Sequence, residues 1–370
     1  MTTLTVYLEP TDFCNAKCLY CIHETDASPH DRPKGYMTYE MWVRLIDELA
    51  AMKADRTITE QIDFRPYWFG ESFLHPDYDR MLDYLAQHDF VDQFLLATNG
   101  ALVDARYADV LLNYAQHRPE RPCFITYGID ALEPEIMWTI KRMKKAPAVL
   151  DNITTMLDRR ATRGVRNLYI IIQMIVMPQN VHHTRAFVEY WRTVLTAKGA
   201  TYAEGAAWSP AILQDYIWVK PHVAPGAQEA ADTLHQQACR DVAIPLIDRQ
   251  LPTAETSGPP GQPTRKPCGM AWQLTICWDG TVTPCCIDTK CQLAIGNVRH
   301  QSLREIYTGQ QALQLRLAHL SGDLTRYPRC DQCDCPYLGS FAGEPWITDE
   351  KLSRTLKDAA RLGLIAPLRR

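Results

Sequence analysis

Strand and helix patterns alternate six times over the first two hundred residues, and that rhythm restricts the chain to few architectures. Strand-like apolar runs fall at residues 4–8, 61–69, 93–98, 123–128, 168–177 and 201–208. Amphipathic helical patterns lie between them. One places Met41, Trp42, Leu45, Ile46, Leu49 and Met52 on a single face behind Thr38 as N-cap. Another carries Pro147 in its first turn and continues through Val149, Ile153, Met156 and Leu157. The alternation predicts an α/β fold with a parallel sheet, open or closed as a partial barrel, because parallel neighbours need a crossover that a helix supplies. Functional side chains then collect at the C-terminal strand ends.

From 209 to 267 nine prolines break the rhythm, and the stretch reads as a connector with a short helix near 227–240. A hairpin signal follows, with residues 272–278 and 281–283 on either side of Asp279-Gly280. A helix is expected over 302–320. The expected division is therefore 1–208, a Pro-rich connector at 209–267, a small unit at 268–340 and a C-terminal tail at 341–370. The basic, apolar end at 364–370 reads as a solvated or docking segment.

Charge narrows the partners. A net charge of -4 leaves no basic footprint for nucleic acid. The longest apolar run, 168–177, is interrupted by Gln173 and is too short to span a bilayer. Glu9 and Asp12 stand where a signal peptide would have its apolar core, so a cytoplasmic protein is expected.

Thirteen cysteines are many for such a chain, and their clustering points to metal rather than to disulfides. Cys14, Cys18 and Cys21 stand in the loop after the first strand. Thiolates at this spacing can hold three irons of a cubane [4Fe-4S] cluster and leave the fourth iron open to a ligand that is not protein. Zinc with a distant fourth ligand is the competing reading. Cys268, Cys285 and the tight pair Cys330-x2-Cys333 form a second group, and four thiolates close a site without a vacancy. Spacing alone does not separate zinc from iron–sulfur there. Cys335 is an alternative to Cys333. Cys123, Cys239 and Cys277 read as small buried hydrophobes, and His182-His183 reads as a helix start.

The Cys14-x3-Cys18-x2-Cys21 run after the first strand resembles the signature of the radical S-adenosylmethionine (SAM) superfamily. The resemblance implies a partial (βα)6 TIM-like barrel over about the first 208 residues. It also implies a [4Fe-4S] cluster whose open iron chelates SAM, and a 5'-deoxyadenosyl radical that abstracts hydrogen from substrate. Tyr20 matches the aromatic beside the adenine. Gly70-Glu71 matches part of the family's Gly-Gly-Glu-Pro, which meets the methionyl ammonium, whereas Phe69 and Ser72 depart from it. Asn99, in Thr98-Asn99-Gly100, and Asp130, after the fourth strand, stand where polar groups face SAM or substrate. Gln173 is a polar residue inside an apolar strand, where a ligand or a bonded partner is required. For Asn99, Asp130 and Gln173 strand-end capping or barrel-interior bonding is the alternative.

The second cysteine group resembles the auxiliary-cluster domain called SPASM, or its shorter form, twitch, and implies one auxiliary [4Fe-4S] cluster on Cys268, Cys285, Cys330 and Cys333. Cys286 and Cys291 flank Asp288 and are candidate hydrogen donors, with unreactive packing as the alternative. The expected reaction is dehydrogenation at a hydroxyl- or amine-bearing carbon of a small polar, sugar- or aminoglycoside-like molecule. Epimerisation with a cysteine donor and modification of a ribosomal peptide are the alternatives. No leader-binding domain is seen ahead of the barrel pattern, which sets the peptide reading behind. An external electron donor of flavodoxin or ferredoxin type is implied.

Overall fold

The computed structural model describes residues 3–21, 33–143, 146–223, 227–246, 267–333, 340–341, 344–345 and 347–366. The first part runs β1 (Thr3–Leu8), α1 (Tyr39–Ala54), β2 (Gln61–Arg65), α2 (Tyr78–Leu85), β3 (Gln93–Thr98), α3 (Ala105–Gln116), β4 (Cys123–Gly128), α4 (Pro134–Lys141) and α5 (Ala146–Thr162). It continues through β5 (Leu168–Val176), α6 (Thr184–Ala197), β6 (Tyr202–Gly205), β7 (Asp215–Pro221) and α7 (Gln228–Asp241). The α1 stripe is buried as its spacing predicts, and Thr38 Oγ1 caps the helix by accepting from Met41 N at 3.2 Å.

Ten strands form one sheet in the order β10-β9-β8-β1-β2-β3-β4-β5-β7-β6, with β1 to β7 mutually parallel. This is the partial TIM-like barrel that the alternation predicts. Successive strand residues face opposite sides, so each strand builds two cores. Leu96, Ile125 and Ile170 join the large core beneath the helices. Their neighbours Leu95, Phe124 and Ile171 meet Trp208 and Tyr216 on the opposite, concave face.

Two expectations need correction. The sixth strand, expected at 201–208, shortens to β6 and lies at the sheet edge. The place beside β5 goes to β7, in the stretch expected as a connector. Asp215-Tyr216-Ile217-Trp218-Val219-Lys220 carries a strand's alternating burial, but the flanking Pro210 and Pro221 hide it; Pro221 is tolerated because it ends the strand. Asp215 locks β7 in position. Its carboxylate accepts from Arg160 at 2.5 and 2.6 Å and from Ile170 N at 2.8 Å.

The hairpin forms around Gly280, whose φ of 86° is the left-handed conformation that such a turn needs. Its strands β8 (Leu274–Ile276) and β9 (Thr281–Thr283) are followed by β10 (Gly296–Asn297), and β8 pairs in parallel with β1, so the hairpin extends the barrel sheet. The helix expected at 302–320 divides at Gly309 into α8 (Leu303–Tyr307) and α9 (Gln310–Ser321), and α10 (Pro328–Asp331) follows. In the expected tail, α11 (Asp349–Arg361) packs inward: Lys351 Nζ donates to Thr3 O at 3.0 Å, and Trp272 Nε1 donates to Thr355 Oγ1 at 3.0 Å.

Removing one partner of a buried ion pair strands the other. Asp215→Ala should therefore destabilise the protein by about 3–5 kcal/mol in denaturant melts. A loss below about 1 kcal/mol would mean that Asp215 does not hold β7.

Candidate functional site

The loop after β1 is tied down residue by residue. Thr11 Oγ1 donates to Gly35 O at 2.7 Å, and Asp12 Oδ1 accepts from Gly35 N at 2.8 Å. Farther along, Lys17 N and Leu19 N donate to the carbonyls of Lys141 and Ile140 at 2.8 and 2.9 Å. These carbonyls close the last turn of α4, where the helix has no partners of its own to offer them. Burial pushes the Cys14 thiol up to about 12, and the Glu71 carboxylate and the thiols of Cys18 and Cys21 add to the rise. Cys18 is likewise raised by burial, against the Lys141 ammonium. Cys14 thus lies within electrostatic reach of Cys18 and Cys21, and Cys14 and Cys18 are held as neutral thiols, which metal binding must deprotonate.

The Gly70-Glu71 turn meets this loop backbone to backbone. Glu71 N donates to Phe13 O at 2.8 Å. A Cβ at Gly70 would stand 2.1 Å from Thr11 O and 2.8 Å from Phe13 O, so only glycine fits. Glu71 is buried, and its carboxylate accepts from Thr98 Oγ1 at 2.8 Å and from Asn99 N at 2.9 Å. Burial nevertheless lifts it to about 7. Asn99 Nδ2 donates to Asn15 Oδ1 at 2.7 Å, which ties the end of β3 to the cysteine loop. Ser72, the departure from the family pattern, closes the turn by donating to Pro66 O at 2.9 Å.

Tyr20 and Asp130 meet each other: the Tyr20 hydroxyl donates to Asp130 Oδ2 at 2.7 Å. Asp130 is fully buried at φ 63°, its Oδ1 accepting from Ile175 N at 2.8 Å and its carbonyl from Asn180 Nδ2 at 2.8 Å. Its side chain is therefore committed to barrel-interior bonding, the alternative the sequence left open. Lys141 completes the group with Nζ 2.9 Å from Asp130 Oδ2 and 2.7 Å from Tyr20 OH. Burial opposes its charge, but Asp130 holds it above the ordinary lysine value. Sequence reasoning missed Lys141, although it lies four residues after the buried Met137 on one helix face. Gln173 is half-buried opposite Gly128, where a Cβ would lie 3.6 Å from its amide nitrogen and 3.9 Å from Lys141 Nζ. His182 and His183 form a single turn before α6, as expected.

In the hairpin unit, Cys268 lies within electrostatic reach of Cys285, Cys330 and Cys333, and Cys286 reaches both Cys268 and Cys285. Burial raises Cys268 to about 11 and Cys330 to about 12. Cys335 lies outside the described residues. The buried Asp288 organises the loop by accepting from Thr283 Oγ1 at 2.9 Å and Leu293 N at 2.8 Å. The two donor candidates separate. The Cys286 thiol lies near Arg65, Tyr7 and Tyr67, and its carbonyl accepts from Trp68 Nε1 at 2.8 Å. Cys291 Sγ faces Cys277 Sγ at 3.5 Å. Among the described residues no three His, Cys, Asp or Glu side chains converge on a single ion; the thiolates of a cubane bind different irons and stand farther apart.

The family model of the radical SAM superfamily matches residues 8–190, and that of an iron–sulfur cluster-binding domain, SPASM, matches 268–335. The chain belongs to the radical SAM superfamily. Among solved structures, native anSMEcpe with bound AdoMet is 13% identical, over 98% of this chain and 98% of that chain, with a TM-score of 0.55. Native anSMEcpe with bound AdoMet and Cp18Cys peptide is 14% identical over 98% of each chain, with a TM-score of 0.52. BtrN in complex with AdoMet and 2-DOIA is 13% identical over 90% of this chain and 94% of that chain, with a TM-score of 0.48. The anSMEcpe likenesses show a shared fold. No curated protein matches, and no helix among the described residues is long and apolar enough to cross a membrane.

As a radical SAM enzyme with a SPASM-type unit, the protein uses SAM, a [4Fe-4S] cluster and auxiliary iron–sulfur, which sets the zinc readings aside. The residues fit these groups. Cys14, Cys18 and Cys21 form an all-sulfur donor set on one braced loop, against a Gly70 cradle that any Cβ would fill. Gly70→Ala should cost the protein the iron of this site while the auxiliary iron stays; full iron content in the variant would contradict the cradle. A raised carboxyl holds its proton more tightly in the folded chain, so stability is greatest below its ordinary value of 4.5 and is lost as pH rises through about 7. In the metal-free protein, Glu71→Gln should be more stable than wild type by roughly 3 kcal/mol at pH 8 and nearly equal at pH 4.5. A difference that does not change with pH would contradict the buried charge.

Proposed function

We propose that the enzyme removes hydrogen from a hydroxyl- or amine-bearing carbon of a small polar, sugar- or aminoglycoside-like molecule, and that the outcome is dehydrogenation. The supporting observation is the junction of barrel and hairpin. β8 runs beside β1, with Tyr7 opposite Thr275, and Trp68, two residues before Gly70, bonds the Cys286 carbonyl. Cys268, Cys285, Cys330 and Cys333 would therefore hold an electron acceptor close to the SAM loop. When bound, SAM and its cluster supply the one-electron chemistry that breaks a C–H bond. A carbinol carbon that loses a hydrogen atom, then a proton and an electron, becomes a ketone.

The concave face suits such a substrate. One wall is apolar, built of Leu95, Phe124, Ile171 and Trp208. The other hydrogen-bonds: Arg65 donates to Tyr7 OH at 2.7 Å and to Asp63 Oδ2 at 2.9 and 2.6 Å. Apolar walls exclude water from a reactive intermediate, and polar ones orient hydroxyls. An external flavodoxin- or ferredoxin-type protein would supply the starting electron.

Epimerisation is the second reading, favoured by the surroundings of Cys286. Its thiol stands beside Arg65, Tyr7 and Tyr67, whereas Cys291 is turned to Cys277. The substrate is to be found by a screen for 5'-deoxyadenosine release. With it, wild type should yield a product lighter by two hydrogens, and Cys268→Ala should release 5'-deoxyadenosine but little oxidised product. Full oxidation by Cys268→Ala would refute the acceptor role. An isomer that takes up deuterium from solvent, with uptake lost in Cys286→Ala, would establish the second reading instead.

A further inference from the structure

Lys141 ends α4 with its side chain only 2% exposed. An ammonium so deep in the protein is tolerated only among compensating partners. Asp130 supplies the charge. Among the described residues its oxygens meet three donors, Ile175 N, the Tyr20 hydroxyl and Lys141 Nζ. The single hydroxyl proton of Tyr20 is committed to Asp130, so the bond between Lys141 and Tyr20 must be donated by the ammonium. Two of the three ammonium protons are thereby assigned. The ammonium also stands 4.0 Å from Cys18 Sγ, with Cys14 and Glu71 within its electrostatic reach.

We infer that the Lys141 ammonium is a fixed counter-charge to the Cys18 thiolate and raises the reduction potential of the cluster that Cys14, Cys18 and Cys21 would hold. Reducing a cluster adds negative charge, and a positive charge fixed beside a ligand sulfur in a low-dielectric interior stabilises that added electron. The position is tightly constrained. The carbonyls of Lys141 and Ile140 accept from Lys17 N and Leu19 N, on either side of Cys18, so helix end and cysteine loop move as one piece. Asp130 is held in turn through Ile175 N and Asn180 Nδ2. Lys141 is thus a positioning residue that acts through Cys18, and the inference rests on Cys14, Cys18 and Cys21 being the ligands of the SAM cluster.

The test is a potentiometric titration of the anaerobically reconstituted full-length protein. It is read from the electron paramagnetic resonance signal that changes on adding SAM, which separates this cluster from the auxiliary one. Lys141→Met should lower the ratio of reduced to oxidised cluster at fixed potential about tenfold, or about 59 mV for one electron, with iron and sulfide at wild-type levels. Lys141→Arg, which keeps the charge, should recover most of that loss. An unchanged midpoint in Lys141→Met overturns the inference. If Lys141→Met loses the cluster and Lys141→Arg keeps it, the counter-charge is upheld. Loss in both overturns it, because the position then demands a shape and not a charge. A wild-type protein with no SAM-responsive signal removes the ligand assignment itself, and the inference falls with it.

Discussion

The pairing of β1 with both β2 and β8 is the constraint on which the functional geometry depends. β1 delivers the loop of Cys14, Cys18 and Cys21 from its C-terminal end. β2 leads into the Gly70-Glu71 turn, which has to meet that loop backbone to backbone. β8 leads into the hairpin that carries Cys285 and Cys286. Register is strict, because a shift of one residue would turn Tyr7 and Thr275 to the other face of the sheet. The strands side by side thus bring the proposed cluster loop and the cofactor turn to one end of the sheet, while the return strand β9 carries the chain back to Cys285 and Cys286 beside Tyr7 and Arg65.

Around that end the protein keeps charge under control before any cofactor arrives. Cys14, Cys18, Cys268 and Cys330 are all raised by burial, so the empty protein carries neutral thiols. Glu71 is strained in the same sense. Metal binding must deprotonate these sulfurs against that burial. Cofactor loading and fold stability are therefore coupled. The ammonium of Lys141 is the exception, a buried charge that Asp130 supports while it also acts on Cys18.

Much of this was legible in the sequence, because periodicity and spacing are local. The βα rhythm, the α1 stripe, the turn at Gly280 and the three-cysteine loop all depend on residues close in the chain. What escaped depends on distant partners. β7 is a short strand between prolines, and its place beside β5 rests on Arg160, fifty-five residues earlier. Lys141 reads as a surface residue until Asp130 and Tyr20 are brought to it. The tail helix α11 shows a buried face only against Trp272 and the start of β1. Cys286 and Cys291 are alike in sequence, five residues apart, and their separation comes from distant partners, Arg65 on β2 and Cys277 just after β8.

The central claim is that one chain carries two unlike iron–sulfur sites, one of three thiols and open to SAM, the other of four and closed. Mössbauer spectra of anaerobically purified, iron-57-enriched protein, taken with and without SAM, test this most directly. The account predicts about eight irons per chain in two cubane clusters, with SAM perturbing one iron of one cluster and leaving the other unchanged. A single iron environment insensitive to SAM, or a colourless protein with stoichiometric zinc, would contradict it.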